Sequence, residues 1–249
     1  MTPPVFELRD VRRSFGSTEA VSGLDLVVRP GERVALAGPS GAGKTTLIGL
    51  LNGTLLPSTG SVRIFGRDTR QVGARELRRL QRRIGTVYQQ FHLVDELRVI
   101  HNVNAGRLGR WSLARAALSL VSPREAEDTR RLLGRVGMAG KLYERTGDLS
   151  GGEQQRVALS RVLAQDPDVI LADEPIASLD RENSREVMDL LRDLVEERGR
   201  TAVISLHDVS FALSHCERVV GVRSGRVLFD EPAASVTSEM TDELYRIER

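Results

Sequence analysis

Between residues 5 and 38 the chain runs as short apolar stretches broken by turn residues. Segments 5–15 (VFELRDVRRSF), 20–28 (AVSGLDLVV) and 33–38 (RVALAG) read as strands, with Pro30-Gly31 as the turn before the third. Residues 44–53 (KTTLIGLLNG) then form an apolar helix closed by Asn52-Gly53, and 61–66 (SVRIFG) is another strand. Segments 74–83, 111–120 and 124–136 read as helices, the last stopping at Gly137. Residues 169–173 (VILAD) have the unbroken apolar run of a buried strand. The next segment places Val187, Leu190, Leu191, Leu194 and Val195 on one helical face before Gly199, and strand 201–205 (TAVIS) follows. A hairpin turns at Ser224-Gly225, and 241–247 (TDELYRI) is helical. Strands alternating with helices predict a mixed α/β fold, interrupted by a mostly helical interval. The expected division is a β-containing core at 1–90 and 165–235, a helical subdomain at 91–164, and a C-terminal helix within 236–249, all in one domain.

Composition narrows this picture without changing it. A chain of 249 residues, 40% hydrophobic and 28% charged, suits a soluble globular protein of one large domain or of one domain with a subdomain inserted. Its formal net charge of +2 leaves no large basic excess for phosphate backbones, so no nucleic-acid partner is expected. The single cysteine, Cys216, cannot form an intrachain disulfide, and no cysteine-histidine cluster has zinc spacing; a reducing compartment fits. No segment approaches the roughly 18 apolar residues of a membrane span, so any membrane connection is expected through a partner.

Two stretches carry chemistry. Gly38, Pro39, Ser40, Gly41, Ala42, Gly43, Lys44 and Thr45, followed by Thr46, match the nucleotide P-loop after an apolar strand and before a helix. There backbone N–H groups wrap phosphate oxygens, Lys44 reaches the β and γ phosphates, and Thr45 offers a hydroxyl to Mg²⁺. The strand 169–173 ends on Asp173 and Glu174, placing one carboxylate to hold Mg²⁺ and the next to polarise an attacking water. The same tripeptide, DEP, recurs at 230–232, where it reads as an acidic turn. A third stretch, LSGGEQQR at 149–156, also has the form of an anion site at a helix start, and one nucleotide does not need two such sites.

The order P-loop, LSGGEQQR, LADEP, then Ser178-Leu179-Asp180, then His207 resembles the ATP-binding cassette (ABC) ATPases over essentially the whole chain. The resemblance implies an α/β P-loop NTPase fold: an ABC-type nucleotide-binding domain with an inserted helical subdomain and an antiparallel β subdomain. It implies that Leu149, Ser150, Gly151, Gly152 and Glu153 are a signature serving the ATP of a partner copy in a homodimer. Ser178, Leu179 and Asp180 become the D-loop, His207 a switch histidine on the γ-phosphate, and Gln89 a Q-loop residue sensing Mg²⁺ and water. Phe15 becomes the ring stacked on adenine, although by itself a lone Phe at a strand end is more often core. The implied metal set is Thr45, Gln89 and Asp173, and the implied catalytic set is Glu174, His207, Gln89 and Lys44. Glu153 stands where glutamine is usual, Thr45 where serine is commoner, and Phe15 where tyrosine is frequent.

Within that family the chain is similar to single-cassette subunits of bacterial importers, and most of all to phosphonate importer ATPases, on residues 89–113, 170–180 and 205–212. That likeness implies two transmembrane permease subunits, a periplasmic or lipoprotein solute-binding protein, and a place at the cytoplasmic face of the cell membrane. An amino-acid importer, a lipid or peptide exporter ATPase and, outside transport, a P-loop phosphotransferase are the competing classes. A DNA-repair ATPase would insert coiled coils or zinc modules, and neither pattern is present.

Overall fold

The computed structural model describes residues 3–121, 125–177 and 179–246. Its strands are β1 (Phe6–Phe15), β2 (Thr18–Val28), β3 (Arg33–Ala37), β4 (Thr59–Ile64), β5 (Arg67–Asp68), β6 (Ile84–Val87), β7 (Val169–Asp173), β8 (Thr201–Leu206), β9 (Arg218–Arg223) and β10 (Arg226–Pro232). Its helices are α1 (Lys44–Leu51), α2 (Ala74–Gln81), α3 (Val99–Ala105), α4 (Leu113–Val121), α5 (Ala126–Arg135), α6 (Gly151–Gln165), α7 (Arg181–Glu196), α8 (Val209–His215) and α9 (Ser238–Tyr245).

Two sheets result. One is antiparallel, ordered β2-β1-β4-β5; the other is ordered β10-β9-β3-β8-β7-β6, parallel from β9 to β6 with β10 antiparallel at one edge. The parallel strands are apolar on both faces because both faces are covered. On β7, Val169 and Leu171 join Phe6, Leu26, Leu47 and Ile48 in the core shared with α1 and the antiparallel sheet. Ile170 and Ala172 face the other way, into a core with Ile100, Leu133, Leu163, Leu191 and Leu194 from α3, α5, α6 and α7. Each such Leu or Ile, fully buried, contributes about 1.5–3 kcal/mol of transfer free energy. The apolar faces of these helices therefore dock on a sheet that could not exist uncovered.

Between β6 and β7 the described residues form α3 to α6 and no sheet strand. The short strand β6 and helix α3 were not read from the sequence; four and seven residues carry too little periodicity. The acidic turn expected at 230–232 is corrected: Asp230, Glu231 and Pro232 pair with Val220, Val219 and Arg218 as the end of β10. Asp230 accepts hydrogen bonds from Arg218 at 2.6 Å, and Pro232 is tolerated because it closes an edge strand. Helix α9 begins earlier than expected, at Ser238, because Thr237 caps it by accepting from the Met240 N–H.

Candidate functional site

The carboxyl ends of β3, β7 and β8 lie side by side, with Ala37 paired to Leu206 and Asp173 to Ser205. Whatever follows each strand is thereby brought to one edge, where ligands of open α/β sheets bind. After β3 comes the loop 38–43. A Cβ at Gly38 would stand 2.1 Å from the Val222 carbonyl oxygen, and one at Gly43, which has φ +101°, 2.4 Å from that of Ala20. Only glycine fits at either place, so the loop keeps its backbone close-wound ahead of α1.

Lys44, almost fully buried, donates from Nζ to the carbonyls of Gly38 (2.7 Å) and Pro39 (3.0 Å) and lies 3.3 Å from Glu174 Oε1. Thr45 Oγ1 donates to Asp173 Oδ1 at 3.2 Å. Ser205 Oγ donates to the same carboxylate oxygen at 2.7 Å and accepts from the Glu174 N–H at 2.8 Å. Glu174 itself has φ +46°, a left-handed conformation that costs about 1 kcal/mol or more outside glycine and that turns its side chain toward Lys44. The hydroxyl of Thr45 and the carboxylate of Asp173 are hard oxygen donors of the kind Mg²⁺ takes together with substrate phosphates, so the residues present fit that ion. His207 follows β8 and opens on a cleft with Ser40, Glu174, Leu179 and Asp208.

The second candidate anion site is built on α6. Ser150 caps the helix: its Oγ accepts from the Glu153 N–H at 3.3 Å, while its own N–H donates to Glu153 Oε2 at 2.9 Å. That backbone bond is the main reason the Glu153 carboxyl is held below the usual carboxylate range; Lys141, 3.6 Å away, adds to it. Asp180 likewise caps α7, accepting from the Glu182 and Asn183 N–H groups at 3.0 Å. Those bonds, that from Asn183 foremost, lower its pKa. Gly151, Gly152, Asp180 and Asn183 line one cleft, and Leu179 borders both this cleft and the one at His207.

The structure thus brings Lys44, Thr45, Asp173, Glu174 and His207 to one edge and Ser150, Gly151, Gly152, Glu153, Leu179 and Asp180 to a second. Leu149 is buried beneath the second. Ser178 lies outside the described residues. Gln89 is exposed in the turn after β6, with no hydrogen bond to Thr45 or Asp173. Phe15 stands apart at the end of β1, 46% exposed, with the Arg13 guanidinium 4.5 Å from its ring centre. Ser205 was missed in the sequence because nothing in TAVISLHD separates a strand-end serine that touches Asp173 from one that does not.

A glycine-wound loop feeding a helix, a buried lysine, and a threonine and aspartate sharing a hydrogen bond define a P-loop nucleotide-binding ATPase. The family model described as ABC transporter matches residues 21–177. Over 99% of its length this chain is 49% identical to the phosphonates import ATP-binding protein PhnC of Anaeromyxobacter dehalogenans, of which it spans about half. It is 43% identical, over 96% of its length and 93% of the relative's, to the PhnC protein of Escherichia coli O157:H7. Among solved structures, the dimeric bacterial ABC transporter cassette MJ0796 superposes with a TM-score of 0.81 at 31% identity, covering 92% of this chain and 98% of that one. The same cassette in a post-hydrolysis state bound to ADP and Pi gives 0.77 at 30% identity. The chain belongs to the ABC transporter family.

Proposed function

We propose that this chain is the ATP-hydrolysing subunit of an importer for a phosphonate or a related phosphorus oxyanion. It works as a homodimer under two transmembrane permease subunits, at the cytoplasmic face of the cell membrane, with a periplasmic or lipoprotein solute-binding protein delivering the solute. The observation that carries the solute class is the likeness, 40% identity or more over nearly the full chain, to relatives named for phosphonate import.

In the proposed reaction Gly38 to Thr46 cradle the ATP phosphates and Phe15 stacks on adenine. Glu174 takes a proton from water as the water oxygen attacks the γ-phosphorus, and the bond to the bridging oxygen breaks with ADP leaving. To act so, Lys44 exchanges its loop carbonyls for phosphate oxygens, which also frees Glu174 from its 3.3 Å ion pair. His207 donates to the γ-phosphate oxygens as charge grows there. Thr45 and Asp173 would hold Mg²⁺, which neutralises the phosphate charge, and Gln89 would reach it only by moving from its exposed turn. Ser150, Gly151 and Gly152 complete the site of the partner subunit, with Leu179 and Asp180 linking the two clefts.

The test is ATPase stimulation in the reconstituted complex, with the binding protein loaded in turn with methylphosphonate, phosphate and amino acids. Stimulation by the phosphonate is expected; stimulation by an amino acid alone would transfer the subunit to another importer class.

A further inference from the structure

Helix α9 carries no motif, yet its last residue reaches the His207 turn. We propose that Tyr245 is a positioning residue for hydrolysis: its hydroxyl, delivered by the C-terminal helix, fixes the His207 turn against the first residue of the phosphate loop. The inference rests on the reading of His207 given above.

The Tyr245 Oη donates to the His207 carbonyl oxygen at 2.5 Å, and the Gly38 backbone is near enough to bear on the phenol. The ring stacks at a tilt on the His207 imidazole, with centroids 5.9 Å apart. His207 and Gly38 follow two different strands, β8 and β3, which pair only up to Leu206 and Ala37. Beyond those residues the sheet ladder no longer sets their spacing, and the tyrosine hydroxyl holds the His207 turn beside the start of the phosphate loop. The imidazole of His207 makes no hydrogen bond among the described residues, so its direction depends on the peptide that Tyr245 holds. Burial foremost, with the carboxylates of Asp208 and Glu174, pushes the phenol up to about 12, so the hydroxyl keeps its proton and remains a donor at neutral pH.

The helix is docked independently of that hydroxyl. Leu244 is fully buried in the main core, Thr237 caps the N-terminus, and Arg223 donates to the Glu243 carbonyl at 2.7 Å. Removing one oxygen atom from Tyr245 therefore leaves the helix seated and loosens only the turn.

The experiment compares Tyr245→Phe, His207→Ala and the double variant in the purified full-length chain, reading kcat and KM for ATP, nucleotide affinity and the thermal midpoint. Tyr245→Phe is expected to lower kcat about fivefold, the loss of one hydrogen bond of about 1 kcal/mol, with KM, affinity and midpoint close to the parent. In the His207→Ala background the same substitution is expected to change the residual rate by less than about twofold, because the effect passes through the histidine. An unchanged kcat in Tyr245→Phe beside a collapsed His207→Ala overturns the inference. A fall in affinity and midpoint matching the fall in kcat overturns it also, as a structural role would produce that. Undiminished turnover in His207→Ala overturns the reading of the histidine itself, a separate outcome.

Discussion

Replacing Ser205 with alanine tests whether the two carboxylates at the tip of β7 are held from β8. The Ser205 side chain is completely buried, and its hydroxyl makes two short bonds, to Asp173 Oδ1 and from the Glu174 N–H. The first is a bond to a charged group, worth about 1.5–3 kcal/mol, and the second a bond between neutral groups worth about 1 kcal/mol. Asp173 keeps the longer bond from Thr45, but the Glu174 N–H has no other partner among the described residues. The sum is a loss of about 3 kcal/mol, and at about 2–4 °C per kcal/mol for a chain of this size the thermal midpoint falls by about 6–12 °C. Turnover should fall further than stability, because a displacement of about 1 Å at a positioning group costs up to about a hundredfold in rate. Circular-dichroism melting gives the first number, and Mg²⁺-ATPase assays run well below the lowered midpoint give the second. A variant that melts within about 2 °C of the parent, or that turns over normally while folded, refutes the reasoning.

Glu174→Gln is expected to bind ATP as tightly as the parent and lose about a hundredfold or more in turnover, measured by nucleotide binding beside phosphate release. Ser150→Arg should abolish hydrolysis while single-protomer nucleotide affinity stays near the parent value; a matching loss of affinity would count against a signature acting across a dimer. Glu153→Gln removes a carboxylate from the N-terminus of α6, so ATP-driven dimerisation, followed by sedimentation, should tighten. Burial drives the Cys216 thiol from its ordinary 9.0 up to about 12. The neutral thiol's contribution to stability is therefore complete below about pH 9 and is lost as pH rises toward 12. Maleimide should label the native chain slowly and the denatured chain at once, and Cys216→Ala should flatten the alkaline fall of the thermal midpoint.

What could be read from the sequence was what is local. The P-loop is a covalent run whose glycines are forced because a Cβ at Gly38 or Gly43 would stand 2.1 or 2.4 Å from a backbone carbonyl oxygen, and β7 announces itself as an apolar run because both its faces are covered. The same tripeptide at 173–175 and 230–232 shows the limit: one copy ends a central parallel strand beside Thr45, the other ends an edge strand held by Arg218. Residue order cannot distinguish these, since it is the sheet order that does. The residues missed, Ser205 and Tyr245, act on motif residues from other strands or helices. Arg161 on α6 is similar, donating at 2.6 Å to the carbonyls of Phe91 and His92, two successive residues at φ near +50° in the turn that carries Gln89. Each is an ordinary residue in its own segment, and only long-range packing gives it a place.

The question of two anion sites in one chain is sharpened by the charges beside them. Helix α1 starts with a buried lysine whose carboxylate neighbour can be displaced, so its N-terminus is a strong phosphate site by itself. Helix α6 starts with a carboxylate already bonded to its cap residue, so a free phosphate there meets a like charge a few ångströms away. Alone, that site is weak. On the proposed reading the phosphate arrives with the partner's P-loop lysine and metal ion, which offset its charge, and the two weak halves bind only when both protomers hold nucleotide. Glu153 then works against closure rather than for it, because its carboxylate at the start of α6 repels the arriving γ-phosphate, and its replacement by glutamine should lift that repulsion.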